Sequence, residues 1–173
     1  MMKFSHIVIV FITFFASAGM AVSQTSSGTQ EYGDGGAYEG EFLNGLPHGN
    51  GTYELPNGYR YVGEWFEGEI NGQGEALFPN GSVYIGSFVK GKPEGSGKIT
   101  FTDGGTYEGE WANGSITGEG YAKYANGTTY QGTFLDAMHD GKGIMKSPDG
   151  YIYDGTWENG VKQGKATVTY PDG

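Results

Sequence analysis

The chain has 173 residues, 34 of them glycine, with no cysteine and a formal net charge of −10 at pH 7. Aromatic residues make up 15% of it, which argues against a disordered low-complexity chain, because such chains are poor in aromatics. The acidic excess argues against a nucleic-acid partner, and the lack of cysteine rules out a fold held together by disulfides. We therefore expect an ordered fold that is rich in turns.

The N-terminal segment, residues 1–23, differs in composition from the rest of the chain. Its single cation, Lys3, precedes an apolar run from Ile7 to Phe15, and small residues with two candidate cleavage patterns follow between Ala16 and Ala21. This order is typical of a secretory signal peptide, with an uncleaved N-terminal anchor as the alternative, since the apolar run alone is short for a membrane span. We expect an exported protein that resides in the periplasm, at the cell surface or outside the cell.

A repeat of 23 residues begins at Tyr38 and runs without insertion through six copies to Gly173. Each copy carries Tyr-x-Gly-x-Phe/Trp, then a Gly-x-Gly pair, and finally Asn-Gly or Asp-Gly. Residues 24–37 are interpreted as a linker with a partial copy, because Gly35 lies 23 residues before Gly58. The twelve aromatic positions, which we call the aromatic ladder, are Tyr38, Phe42, Tyr61, Trp65, Tyr84, Phe88, Tyr107, Trp111, Tyr130, Phe134, Tyr153 and Trp157.

Each copy is predicted to form two short strands, because its apolar residues alternate with period two. In the fourth copy Tyr107 and Trp111 share one face with Gly109, while Glu108 and Glu110 take the other. We expect tight hairpin turns at Asn-Gly and Asp-Gly, and a longer turn in the seven residues after each first strand. Twelve strands then pair antiparallel in chain order as an all-β, single-layer meander, a twisted ribbon whose rings lie across the mid-strand glycines.

Two stretches carry a family resemblance: "YEGEFLNGLPHGNGTYELPNG" from Tyr38 and "YEGEWANGSITGEGYAKYANG" from Tyr107. Both resemble MORN (membrane occupation and recognition nexus) repeats, and the resemblance covers all six copies. It implies a repeat ribbon that binds partners. Similar arrays are attached to phosphatidylinositol phosphate kinases, junction-forming membrane proteins and histone methyltransferases, and this sequence contains none of their catalytic or membrane-spanning parts. The departures from the pattern, Ala137, Ser147 and Ala166, predict locally weaker fifth and sixth copies.

No motif in the sequence predicts catalysis, a cofactor or a metal site. The carboxylate pairs Glu39/Glu41 and Glu108/Glu110 recur at positions that other copies fill with Val62/Glu64 or Gln131/Thr133, which favours a solvated polar face over acid–base chemistry. His48 and His139 fall in the predicted long turns of different copies, and with no cysteine nearby they do not form a typical metal set. Triplets of the glycosylation type begin at Asn50, Asn80, Asn113 and Asn126, where the turn-forming role of Asn-Gly is an equal alternative.

The aromatic ladder is the candidate binding site. Much of it must pack internally to hold the ribbon together, but a contiguous apolar surface is also typical of an interaction site. We expect a non-catalytic scaffold that binds a partner protein, as a helix or an extended peptide, or that self-associates through an open sheet edge. The alternative is a phospholipid-binding module that uses Lys90, Lys92 and Lys98, the one cluster of cations.

Overall fold

The computed structural model describes residues 24–172, so the signal peptide predicted for residues 1–23 lies outside the described residues. Within that range all regular structure is β, and no helix there is long and apolar enough to cross a membrane. The strands are β1 (Thr25–Glu31), β2 (Ala37–Leu43), β3 (Leu46–Glu54), β4 (Arg60–Phe66), β5 (Glu69–Leu77), β6 (Val83–Val89), β7 (Lys92–Thr100), β8 (Thr106–Ala112), β9 (Ser115–Lys123), β10 (Thr129–Leu135), β11 (Met138–Lys146), β12 (Ile152–Glu158) and β13 (Val161–Thr169).

These strands form one 13-stranded open sheet in chain order, with each pair antiparallel. The predicted all-β meander of hairpins is confirmed. The prediction of twelve strands was one too few, because β1 lies before the first full copy. Gly28 in β1 pairs with Gly40, and it stands 23 residues before Gly51 in β3. Strand β1 therefore takes the place that the second strand of a preceding copy would occupy.

The turn within each copy is shorter than the sequence predicted. Between β2 and β3 only Asn44 and Gly45 are left, with φ angles of 52° and 83°. Two positive φ angles in a two-residue loop match the twist of the paired strands. The prediction of a longer turn here was wrong, because His48 and Gly49 belong to β3. Gly49, with φ of 66°, lies where the pairing shifts register, so the extra residues are absorbed as a bulge within the strand.

The connection between copies is the longer one. After β3 the chain passes through Leu55–Tyr59, where the backbone N–H of Tyr59 donates to the Asn57 side chain at 2.9 Å. Only Gly58 has a positive φ, at 90°. The side chain of Asn57 therefore shapes this turn by hydrogen bonding rather than by adopting the left-handed conformation.

A row of paired glycines crosses the middle of the sheet, and one face of it carries the tyrosine rings. A Cβ on Gly63 would come within 2.5 Å of the Tyr61 hydroxyl, which shows how closely ring and backbone approach. This confirms the expectation that rings lie across the mid-strand glycines. The row consists of Gly28, Gly40, Gly51, Gly63, Gly74, Gly86, Gly97, Gly109, Gly120, Gly132, Gly143 and Gly155, with Ala166 in β13.

Candidate functional site: the aromatic face

The aromatic ladder forms the core of the ribbon and links each copy to the next. The Tyr84 ring is fully buried and meets two other rings edge-on: Phe88 of its own copy at a centroid distance of 5.1 Å, and Trp111 of the next copy at 4.9 Å. The corresponding contacts between other copies measure 4.9 to 5.5 Å. Edge-to-face pairs of this kind contribute about 0.5–1.5 kcal/mol each beyond area burial.

The polar atoms of the ladder are bound within the sheet itself. The hydroxyl of each ladder tyrosine donates to the backbone carbonyl three residues later, as Tyr84 does to Ser87 at 3.1 Å. The Trp111 ring nitrogen donates to the Gly97 carbonyl at 3.2 Å. Burial raises the pKa of Tyr84 and of Tyr107 to about 12, so both hydroxyls keep their protons at neutral pH. A partner therefore finds few free hydrogen-bonding groups on the ladder.

The ladder residues predicted as the binding site lie in one continuous row, but they largely cover one another. Eleven of the twelve side chains are at most 7% exposed, and the remaining one, Phe42, is partly buried. The accessible part of this face consists of residues beside the ladder. They share partial burial against it, and they are Tyr32, Tyr53, Tyr59, Ile70, Phe78, Met145 and Tyr151.

The largest opening on the aromatic face lies near its N-terminal end, and we call it the N-terminal hollow. It has a volume of about 300 Å³, and Trp65 is the only ladder ring in its lining. Tyr53 stands between Tyr32 and Trp65, with ring-centroid distances of 5.8 and 6.0 Å. The lining residues are Tyr32, Tyr53, Trp65, Gly68, Glu69, Ile70, Lys90 and Gly91. The sequence analysis missed the contribution of Tyr32, because that residue precedes the first full copy.

The opposite face carries the acidic side chains in exposed positions. Several carboxylates bind the sheet's own backbone: Glu64 accepts the N–H of Gln73 at 2.7 Å. Glu108 pairs with Lys98 at 3.7 Å, so Lys98 lies on the face opposite to Lys90, which lines the N-terminal hollow. In residues 24–172 no group of three His, Cys, Asp or Glu side chains could hold a metal ion.

Both histidines singled out by the sequence lie in strands, so their placement in turns was wrong. His139 in β11 stacks on Tyr130 with ring centroids 3.6 Å apart, and its Nε2 shares a hydrogen bond of 2.6 Å with the Tyr124 hydroxyl. Burial lowers the pKa of His139. The available signal was positional: Pro93 and Ile116 fill the same place in earlier copies, which marks it as an apolar site.

Comparison with known proteins identifies the repeat. The family model for the MORN repeat matches residues 38–58, 61–83, 84–106, 107–129, 130–150 and 153–173. No curated protein sequence matches significantly.

Two solved structures illustrate the similarity in fold. The SAS-4 TCP domain of Drosophila melanogaster, solved in complex with a proline-rich motif of Ana2, is 12% identical over 94% of each chain, with a TM-score of 0.51. The G-box domain of the microcephaly protein CPAP is 17% identical over 82% of this chain and 72% of its own, with a TM-score of 0.49. Likeness at such low identity concerns the fold alone, whereas the six matched repeats show that the chain belongs to the MORN repeat family.

Proposed function

We propose that this chain is a non-catalytic, exported scaffold that binds an extended segment of a partner protein on its aromatic face. The observation that carries the proposal is the N-terminal hollow, where Tyr32, Tyr53 and Trp65 line an opening of about 300 Å³. Grooves lined by aromatic rings bind proline-rich segments, because the polyproline helix is already extended and loses little entropy on docking. In this proposal the buried ladder is the rigid floor that holds the accessible rings in place.

The partner that fits best is a proline-rich peptide. The TCP domain of SAS-4, which has a similar fold, was solved with a proline-rich motif of Ana2, and this supports the same class of ligand here. Glu69 and Lys90 stand at the hollow and offer one acceptor and one donor for a peptide backbone that has no internal hydrogen bonds. Ile70 supplies apolar contact between them.

Fluorescence anisotropy with a labelled Pro-x-x-Pro peptide tests the proposal on the intact chain. Replacing Tyr53 by Ala removes the central ring of the hollow, so we expect binding to weaken about tenfold or more, as for an aromatic anchor. The matched control is Tyr121→Ala, which removes an exposed tyrosine from the opposite face. Unchanged binding by a folded Tyr53→Ala protein, or equal loss in the control, would contradict the assignment.

Self-association through a sheet edge is a further part of the proposal. Within residues 24–172, β13 pairs with β12 alone, and its residues Val161–Thr169 are all exposed. An unpaired edge is a template for another strand. Sedimentation velocity over a range of protein concentrations should show dimers or longer species, and a monomer throughout would remove this part.

Phospholipid binding is the alternative partner, and it requires a cationic surface. The division of Lys90 and Lys98 between the two faces disfavours it. Flotation with anionic vesicles distinguishes the two: salt-sensitive binding to lipid would overturn the preference for a protein partner.

Export has a separate test. We expect the mature protein, recovered outside the cytoplasm, to begin after Ala18 or after Ala21, where the two cleavage patterns end. A cytoplasmic protein that retains the complete residues 1–23 would contradict export.

A further inference from the structure

A lysine ammonium group occupies a cluster of three aromatic rings at the β12–β13 hairpin. The Nζ atom of Lys162 lies 4.7 Å from the ring centroid of Tyr151, 4.6 Å from that of Tyr153 and 5.7 Å from that of Trp157. It also donates to the Tyr151 hydroxyl at 3.0 Å. All three distances are within the range over which a ring quadrupole attracts a cation.

The lysine departs from the repeat at this position. The residue that pairs with the second ladder ring is Pro47, Ile70, Pro93 or Ile116 in the first four copies and His139 in the fifth, whereas Lys162 pairs with Trp157 in the sixth. Earlier copies therefore cover their ladder ring with an apolar group or an imidazole. The sixth copy covers it with a cation that forms no ion pair with any carboxylate of residues 24–172.

We propose that Tyr151, Tyr153 and Trp157 form a binding cage for a small quaternary ammonium compound of the choline type, and that Lys162 is its displaceable internal occupant. The position of the ammonium shows that the three rings converge on one place suited to a positive charge. Recognition of quaternary ammonium groups by aromatic clusters relies on this arrangement.

The external ligand has a physical advantage over the lysine. A primary ammonium is compact and strongly hydrated, so it loses much of its hydration among rings. A trimethylammonium group spreads the same charge over methyl groups, which make dispersion contacts with the ring faces. Lys162 can leave without breaking the sheet, because its side chain is exposed and β13 is exposed along its whole length. The net charge of −10 further favours a cationic ligand.

The test is a titration of the full chain with choline chloride, followed by the indole N–H signals in NMR spectra of ¹⁵N-labelled protein. The three tryptophans report separately, and a Trp157→Phe variant assigns the signal from the cage. We expect weak binding by the unmodified protein and about tenfold tighter binding by Lys162→Ala, since the internal competitor is gone. Only the Trp157 signal should shift.

Two controls separate the cage from general effects. Lys165→Ala removes the same charge from the same strand, and because Lys165 contacts none of the three rings it should leave choline affinity unchanged. The uncharged isostere of choline, 3,3-dimethylbutanol, should bind Lys162→Ala at least about tenfold more weakly than choline does. Equal binding of the isostere, equal shifts at all three tryptophans, or no Trp157 shift in a folded Lys162→Ala protein would overturn the proposal.

A vesicle arm identifies the source of the ammonium group. Phosphatidylcholine carries the same headgroup chemistry, so flotation with phosphatidylcholine vesicles is measured beside the free choline titration. We expect Lys162→Ala to bind free choline and to stay unbound in flotation. Binding to both indicates that the cage also accepts the lipid headgroup, whereas flotation without any response to free choline would contradict a choline-type cage.

Discussion

The turn between β10 and β11 allows a sharp prediction about stability, because alanine stands there in place of glycine. Ala137 has a φ of 63°, in the left-handed region, and Asp136 before it has a φ of 47°. The other five copies place glycine at the same position, with φ between 77° and 86°. Replacing Ala137 by Gly therefore keeps the turn while removing a Cβ from a conformation that disfavours it.

The expected gain follows from two opposing terms. A left-handed conformation costs a non-glycine residue about 1–2 kcal/mol. Glycine gives back about 0.4–1 kcal/mol, because the unfolded chain gains conformational freedom. A Cβ built at Gly45, Gly91 or Gly160 meets no atom within 4 Å, so packing adds nothing to the balance at this kind of turn. We expect Ala137→Gly to raise the free energy of unfolding by about 0.5–1 kcal/mol.

Urea unfolding, followed by tryptophan fluorescence, measures this change. A typical urea dependence of about 1–3 kcal/mol per molar converts the gain into a midpoint increase of roughly 0.2–1 M. The matched control, Gly114→Ala, makes the reverse change in the preceding copy and should lower the midpoint by a similar amount. The two changes lie in different turns, so the double variant should return close to the original midpoint. An unchanged or lower midpoint for Ala137→Gly would refute the reasoning.

Two further predictions concern the core. A Cβ on Gly97 would overlap the Tyr84 ring, so we expect Gly97→Ala to lower the free energy of unfolding by about 3 kcal/mol or more; Gly33→Ala, whose Cβ meets nothing within 4 Å, should have little effect, and a similar loss in both would contradict the steric argument. Burial lowers the pKa of His139, so the unfolded state binds more protons than the folded state as pH falls through about 6.5. Stability should be complete above that pH, decline below it and level off under the lowered pKa; urea titrations at several pH values should show this decline and its loss in His139→Phe, whereas equal pH dependence in both proteins would contradict it.

The repeat fold was predictable because its period is written in residue types. Tyr107, Gly109 and Trp111 recur at fixed spacing, and alternation alone assigned them to one face of a strand. The turns were less predictable, because glycine has two roles in this chain. Gly45 supplies a positive φ in a turn, whereas Gly51 leaves room for the Tyr38 ring inside a strand. Sequence spacing does not separate these roles, so a strand segment around Gly49 was predicted as a turn.

The accessible part of the candidate site was harder to predict than the ladder. Whether Trp65 is covered or open depends on neighbouring rings such as Tyr53, whose positions follow from sheet geometry rather than from the repeat. The N-terminal hollow also needs Tyr32, which lies outside the six full copies. His139 and Lys162 show that the departures from a repeat, compared position by position, hold information that the consensus omits.

Contacts between neighbouring copies have a consequence for how the length of this protein can evolve. Each ladder tyrosine reaches only its own copy and the next, as Tyr84 does with Trp111, and each strand pairs with its neighbours in chain order. Duplication of one copy within the gene would therefore insert two strands, or about 10 Å of ribbon, without altering the remaining contacts. The number of repeats in the DNA thus acts as a ruler for the span of the protein.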